Sequence, residues 1–307
     1  MSQPPVATTR RWIWAIQALV TAAVVWFVGR SIAGNWDQFR SLHVVLAIRP
    51  LWIMLSAALV LVTYAMQIES WRRIIGGWGQ HIAFGPAARA WSLANLGRYV
   101  PGKVWSVAGL VVLARQAGVD SGPAAASAFV VQALALGTGA AVVAAATPHA
   151  APPLRLVAAG LAGVATIGVL VWPRTARVLG RLVRGVASLA PLTAGAAITG
   201  AVLTVLSWIT YGTALWFLAR GLLPVSTLPL TQAVGAFTLG YILGVLALFA
   251  PGGVGIRELV LVGLLSPSLG SGGAVALSLA SRVVLTLLEA VTALLTFPFR
   301  PRQEPAT

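Results

Sequence analysis

Six stretches of this chain, residues 12–29, 51–68, 124–147, 154–172, 192–219 and 273–297, run for roughly 20 residues or more with few or no charges. A helix of about 20 apolar residues crosses the roughly 30 Å of hydrocarbon in a bilayer. Only helices and closed barrels satisfy their own backbone polar groups there. The stretches lack the alternation of a barrel strand, so the expected fold class is all-α, a polytopic helical membrane protein. Composition agrees, because only 9% of the 307 residues are charged, against about 25% in soluble domains. No polar stretch approaches the length of a soluble catalytic domain, about 100 residues. Trp12, Trp52, Trp71, Trp172 and Phe297 lie near the ends of the stretches, where aromatic belts form.

The charge that remains is lopsided: 21 basic against 6 acidic residues, a net +15. In a soluble protein such an excess suggests nucleic acid. Here the basic residues flank apolar runs, so anionic lipid and topology explain them, and no nucleic-acid partner is expected. With no cysteine, disulfides and thiolate chemistry are excluded. His43, His81 and His149 are far apart in sequence, which suggests no metal cluster. Neither a nucleophile elbow, a phosphate-binding loop nor a zinc-protease motif occurs. No catalytic residues, metal or cofactor are therefore expected, and the chain is not expected to be an enzyme.

Two apolar regions do not fit simple spans. Residues 86–116 are interrupted by Arg98 and by Pro101-Gly102-Lys103, and residues 230–266 by Pro251-Gly252-Gly253. The arms after the breaks, 104–116 and 256–266, extend only about 20 and 16 Å as helices, too short to cross. Both regions are expected to be re-entrant broken hairpins, tolerable at depth only where they face protein or a wet cavity. With six spans and two hairpins, fourteen basic residues fall on the side of the N-terminus and five on the other. By the positive-inside rule both termini are then cytoplasmic, in a multi-pass inner-membrane protein. One conflict is that residues 230–249 are long enough to cross fully. The expected organisation is a single membrane domain: a tail (1–11), a first repeat (51–147), a cytoplasmic basic linker (173–191), a second repeat (192–297) and a tail (298–307).

The two Pro-Gly breaks lie 150 positions apart, each between two full spans. In this topology they enter from opposite sides, which makes an inverted repeat; chance recurrence of Pro-Gly is the alternative. Broken helices in corresponding halves point to a transporter site. After each break a half-helix begins with unpaired N–H groups and a positive dipole end. Gly102, Gly252, Gly253 and Gly255 would let an anion approach the backbone. Arg98 and Lys103 flank the first break and Arg257 follows the second, and such cations suit a phosphate head group. The competing reading is that they snorkel to the interface. Glu258, Arg282 and Glu289 are further charges inside membrane segments, where charge is functional by default. Arg282 and Glu289 are seven apart and share a helix face. Arg257 is one candidate partner for Glu289 and Arg282 one for Glu258, and a purely structural ion pair is an equal alternative. Asn95 and Tyr99, four apart, are expected to line the site. Gln132 and the stripe Thr204, Ser207, Tyr211 add polarity that more often bonds a neighbouring helix. Glu69, beside Arg72 and Arg73, is expected in an interfacial ion pair.

The run Asn95-Leu-Gly-Arg-Tyr-Val-Pro-Gly-Lys-Val-Trp105, followed by Leu113-Ala-Arg-Gln-Ala-Gly-Val119, resembles the first signature of the lysylphosphatidylglycerol synthase transmembrane-domain family, a group of flippase-like membrane proteins. Pro251-Gly-Gly-Val-Gly-Ile-Arg-Glu258 resembles its second, and Trp71-Arg72 and Arg282 also match. The resemblance covers nearly the whole chain. It implies an integral membrane protein that handles lipids or lipid-linked sugars, with Pro101, Trp105 and Pro251 among the residues around the site. The soluble aminoacyltransferase domain of full-length synthases is not found in these 307 residues, so synthase activity is not expected to carry over. Many relatives have an acidic residue where this chain has Gln132, which puts proton coupling in doubt.

The expected function is a flippase or transporter for an anionic phospholipid or lipid-linked precursor. The alternative is a non-transporting membrane subunit that partners a glycosyltransferase or other envelope-biosynthesis enzyme.

Overall fold

The computed structural model describes residues 46–99, 104–146, 152–182, 190–247 and 251–299. Among these there are helices and no strands. They are α1 (Pro50–Gly76), α2 (Phe84–Leu96), α3 (Val104–Gln116), α4 (Ser121–Ala146), α5 (Pro152–Val171), α6 (Pro173–Leu182), α7 (Ala194–Leu222), α8 (Leu230–Leu246) and α9 (Ile256–Thr296). Prolines set several of the starts. Pro50, Pro152 and Pro173 occupy first helical positions, where the missing N–H costs nothing. Helices α1, α4, α5, α7 and α9 are long and apolar enough to cross a membrane, and the protein is a multi-pass helical membrane protein. The expected span 12–29 lies outside the described residues.

Helices α1 and α7 run antiparallel and are tied at three levels. Ser56 Oγ donates to the Ala214 carbonyl (2.7 Å), the Thr63 and Thr210 hydroxyls meet (2.7 Å), and Ser70 Oγ donates to the Gly200 carbonyl (3.1 Å). Interhelical hydroxyl bonds of this kind substitute for the hydrophobic effect, which is weak between helices already in lipid. Indoles add two more ties: Trp71 Nε1 donates to Ser127 of α4 (3.0 Å) and Trp208 Nε1 to Thr138 of α4 (3.2 Å).

Both broken regions fold back as antiparallel hairpins. In the first, a Cβ on Gly97 would lie 2.8 Å from the Trp105 and Ser106 backbone, and one on Gly109 3.6 Å from Ala94 Cα. In the second, Gly244 at the end of α8 meets Gly253, whereas Gln232 near its start donates to the Leu264 carbonyl (2.7 Å) and accepts from Ser268 (2.7 Å). Helix α8 ends at Leu246 and is 17 residues long, about 26 Å. The 41-residue α9 is interrupted at Gly270 (φ 71°, ψ 161°), which leaves a short arm, 256–269, and a long one, 271–296. Only glycine takes that backbone conformation freely. The short arm belongs to the second hairpin.

One element departs from expectation. Part of the basic linker is helical: α6 follows Trp172 directly, with Arg174 over the Trp172 ring at 5.0 Å. Its sequence places Arg174, Arg177 and Arg181 at spacings of three and four, which is one helical face. Residues 173–182 therefore form an amphipathic helix. Glu69 does bond both Arg72 and Arg73 at the end of α1 (2.6 Å to Arg73).

Close approach of α7 and α8 depends on Gly212, where a Cβ would fall 2.3 Å from Val234 Cα. Because the obstacle is backbone, relief requires a helix shift. Gly212→Ala is expected to destabilise the protein by about 1–3 kcal/mol, measured as a lower midpoint for thermal unfolding in detergent.

Candidate substrate site

The turn before the first break and the turn of the second meet beside the middle of the long arm of α9. Arg98 and Tyr99 form the last turn before the first break, in a 3₁₀ segment (Gly97–Tyr99). Pro251–Gly253 form a second 3₁₀ turn, with φ +58° at Gly252 and +69° at Gly253. The Tyr99 ring lies against Gly252, where a Cβ would be 3.5 Å from it. Gly253 backs onto Gly244 so closely that a Cβ would lie 2.9 Å from Gly244 Cα. Both glycines are required by backbone conformation, and Gly253 also by space.

Two positions two turns apart on one face of α9 hold these breaks. Glu289 receives Arg98 Nη1 (2.9 Å) and the Tyr99 hydroxyl (2.7 Å). Tyr99 has one proton to give and donates it to the carboxylate, so Thr286 (3.1 Å) donates to the Tyr99 oxygen. Two turns earlier, Arg282 pairs with Glu258 and approaches the Gly252 carbonyl (3.5 Å). The other Glu258 oxygen accepts the Gly255 N–H (2.7 Å) and caps the short arm of α9. Glu289 and Arg282 are each 6% exposed. Buried charges such as these are tolerated only in pairs with further hydrogen bonds.

The pairing of Arg282 with Glu258 matches the sequence expectation, but that of Glu289 with Arg257 does not form. Glu289 takes Arg98 instead. Its helix face is turned to the first hairpin, whereas Arg257 sits in the first turn of the short arm of α9 and faces α8. Arg257 reaches Ser281 (3.3 Å) and lies over the Phe237 ring at 4.9 Å, and its Nε is buried without a hydrogen bond. Gly240 and Gly244 of α8 leave room for its stem. A ring face stabilises a cation by about 0.5–2 kcal/mol and supplies no counter-charge. Three arginines thus face two carboxylates in this cluster of described residues, a net excess of +1.

Arg257 and Arg98 open on a cavity of about 290 Å³. It lies near mid-length of α4 and α7, whose Gln132 and Thr204 line it. Asn95, Trp91 and Ser106 come from the first hairpin, Gln67 and Ser70 from α1, and Tyr241, Gly252 and Gly253 from the second hairpin. The Asn95 side-chain oxygen accepts Arg98 Nη2 (2.8 Å), which aims its amide N–H groups elsewhere. On the far side of Arg98 and Arg257, a void of about 30 Å³ reaches Tyr99, Arg282 and Glu289.

Of the expected site residues, Asn95, Arg98, Gly252, Gly253 and Arg257 line the cavity, and Tyr99, Glu258, Arg282 and Glu289 form the ion-pair cluster behind it. Pro101, Gly102 and Lys103 lie outside the described residues. Pro251 opens the second turn, and Gly255 (φ +85°) precedes the short arm without lining the cavity. Trp105 is a correction: it is 56% exposed and turned away, because the cavity face of α3 carries Ser106, Val107 and Leu110. Gln67, Trp91 and Tyr241 were missed. Each shares its helix with other polar or aromatic residues, and periodicity does not separate a cavity-lining residue from one in ordinary packing.

A family model described as Lysylphosphatidylglycerol synthase TM region matches residues 14–292. The chain belongs to this family. The match spans both broken hairpins, all the cavity-lining residues and both ion pairs. Family membership marks the protein as a membrane protein associated with lipid handling. No curated protein matches the sequence.

The Arg98–Glu289 pair joins the first hairpin to α9, so loss of one partner strands the other in a low-dielectric interior. Glu289→Ala alone is expected to cost about 3–5 kcal/mol. In a thermodynamic cycle with Arg98→Ala, the double variant should recover about 0.5–3 kcal/mol relative to the sum of the single changes. Thermal unfolding of the four proteins measures it.

Proposed function

We propose that this protein moves an anionic phospholipid or lipid-linked precursor across the cytoplasmic membrane. The observation that carries the reading is Arg257, a cation with no carboxylate partner among the described residues, on the wall of a largely apolar cavity inside a bundle of membrane helices. A charge in that setting is costly and usually marks a substrate path. The two hairpins are re-entrant on this reading, because each contains an arm of about 20 Å, too short to cross. They enter from opposite sides as corresponding parts of an inverted repeat. The head group occupies the cavity while the acyl or prenyl chains stay in lipid. Rocking of one hairpin against the other would expose the cavity to each leaflet in turn. The basic residues around α6 and both termini lie on the cytoplasmic face.

The amphipathic helix α6 favours a second reading, in which its arginines dock a glycosyltransferase or other envelope enzyme and nothing is transported. Leaflet exchange of a fluorescent anionic phospholipid in proteoliposomes separates the two. Transport predicts exchange above protein-free vesicles. It also predicts a loss of about tenfold to a hundredfold in Arg257→Ala, the worth of a hydrogen bond to a charged group, and little change in Arg174→Ala/Arg177→Ala. Exchange at the protein-free rate rejects transport.

A further inference from the structure

The chemistry of the cavity wall narrows the kind of head group it suits. Resting on the transport reading above, we infer that the cavity takes a singly charged phosphodiester whose remaining head group is an uncharged polyol. It discriminates against cationic and zwitterionic head groups and against phosphomonoesters.

Sign comes first. Arg98 and Arg257 line the cavity, and no carboxylate does among the described residues. Both nearby carboxylates are engaged behind the wall, Glu289 by Arg98 and Tyr99 and Glu258 by Arg282 and the Gly255 N–H. An ammonium in the cavity would face the Arg257 guanidinium, which has no carboxylate partner among the described residues, beside an Arg98 whose carboxylate lies behind the wall, and like charges at low dielectric repel strongly. The two buried lining atoms without partners, Arg257 Nε and Trp91 Nε1, are both donors. Unsatisfied buried donors call for acceptor oxygens.

Magnitude follows from the same cluster. Its excess among the described residues is a single positive charge, which one phosphodiester charge neutralises. A phosphomonoester, at about −1.5 to −2 near neutral pH, would leave buried negative charge uncompensated.

The neutral part of the wall selects for hydroxyls. Gln67, Asn95, Gln132 and Tyr241 bring groups that both donate and accept across the lining. Hydroxyls of a polyol also do both, whereas a methylated or bare ammonium accepts nothing. Volume sets the last limit. About 290 Å³ is at the lower end of small-ligand sites, so it suits a phosphate with a small polyol and not a pyrophosphate-linked oligosaccharide.

Native mass spectrometry of the detergent-solubilised protein with equimolar lipid mixtures tests the ranking. The probes are phosphatidylglycerol, phosphatidic acid, phosphatidylethanolamine and lysylphosphatidylglycerol. The expected result is phosphatidylglycerol retained at least about tenfold over each other lipid, a free-energy difference of about 1.4 kcal/mol. Arg257→Gln should abolish that preference and Arg257→Lys should keep part of it. Gln132→Leu should weaken phosphatidylglycerol alone. Equal retention of all four lipids, or preference for the lysylated or monoester lipid, overturns the inference, and the wild-type ranking decides it even if a variant fails to fold. Leaflet exchange of the same four lipids is measured separately. Exchange without head-group preference sinks this inference and leaves transport standing. Selective binding without any exchange does the reverse.

Discussion

Everything around the cavity depends on one helix face. Within two turns of the long arm of α9, Arg282 and Glu289 present opposite charges to two different hairpins. Each charge is buried and stable only while its partner stays in place. The pairs therefore hold the broken segments at mid-bundle, where neither could satisfy its own backbone. The Glu258 capping bond to Gly255 and the approach of Arg282 to the Gly252 carbonyl serve the same end. They supply partners to polar groups that the second break has released from regular helix.

With both carboxylates consumed in this way, the third arginine of the cluster is left over. Arg257 has an aromatic face and a serine to lean on, but no counter-ion. The ion pairs that secure the hairpins thus also create the electrostatic asymmetry of the cavity. In water, one surplus charge means little. Inside a membrane bundle it gives the cavity wall a positive sign, which is why an anionic occupant is proposed for it. The family to which the chain belongs is associated with lipid handling.

Much of the fold was legible without coordinates. Hydropathy alone located the spans that became α1, α4, α5 and α7 and the long arm of α9, because a helix in lipid must be apolar for most of its length. The Pro-Gly breaks were also visible, since proline and repeated glycine interrupt helices for reasons local to the backbone. The helix in the basic linker was not. Residues 173–182 are too polar for a span, and a charge run looks like a solvated loop until its spacing is set against a neighbouring span. The exposure of Trp105 was likewise hidden, as a motif names residues that travel together without saying which face each takes.

What the sequence determined by itself was where charge could not be idle: a few ionisable residues in long apolar segments, in numbers small enough to inspect one by one. It could not choose their partners. Arg98 and Glu289 are 191 positions apart, and at that distance spacing says nothing about contact. Only the fold-back of the two hairpins, and the meeting of Gly252 with Tyr99, brought Arg98 to Glu289 and left Arg257 on the cavity wall. Local rules act through the backbone within a turn or two, whereas the balance of buried charge is settled by which helices touch.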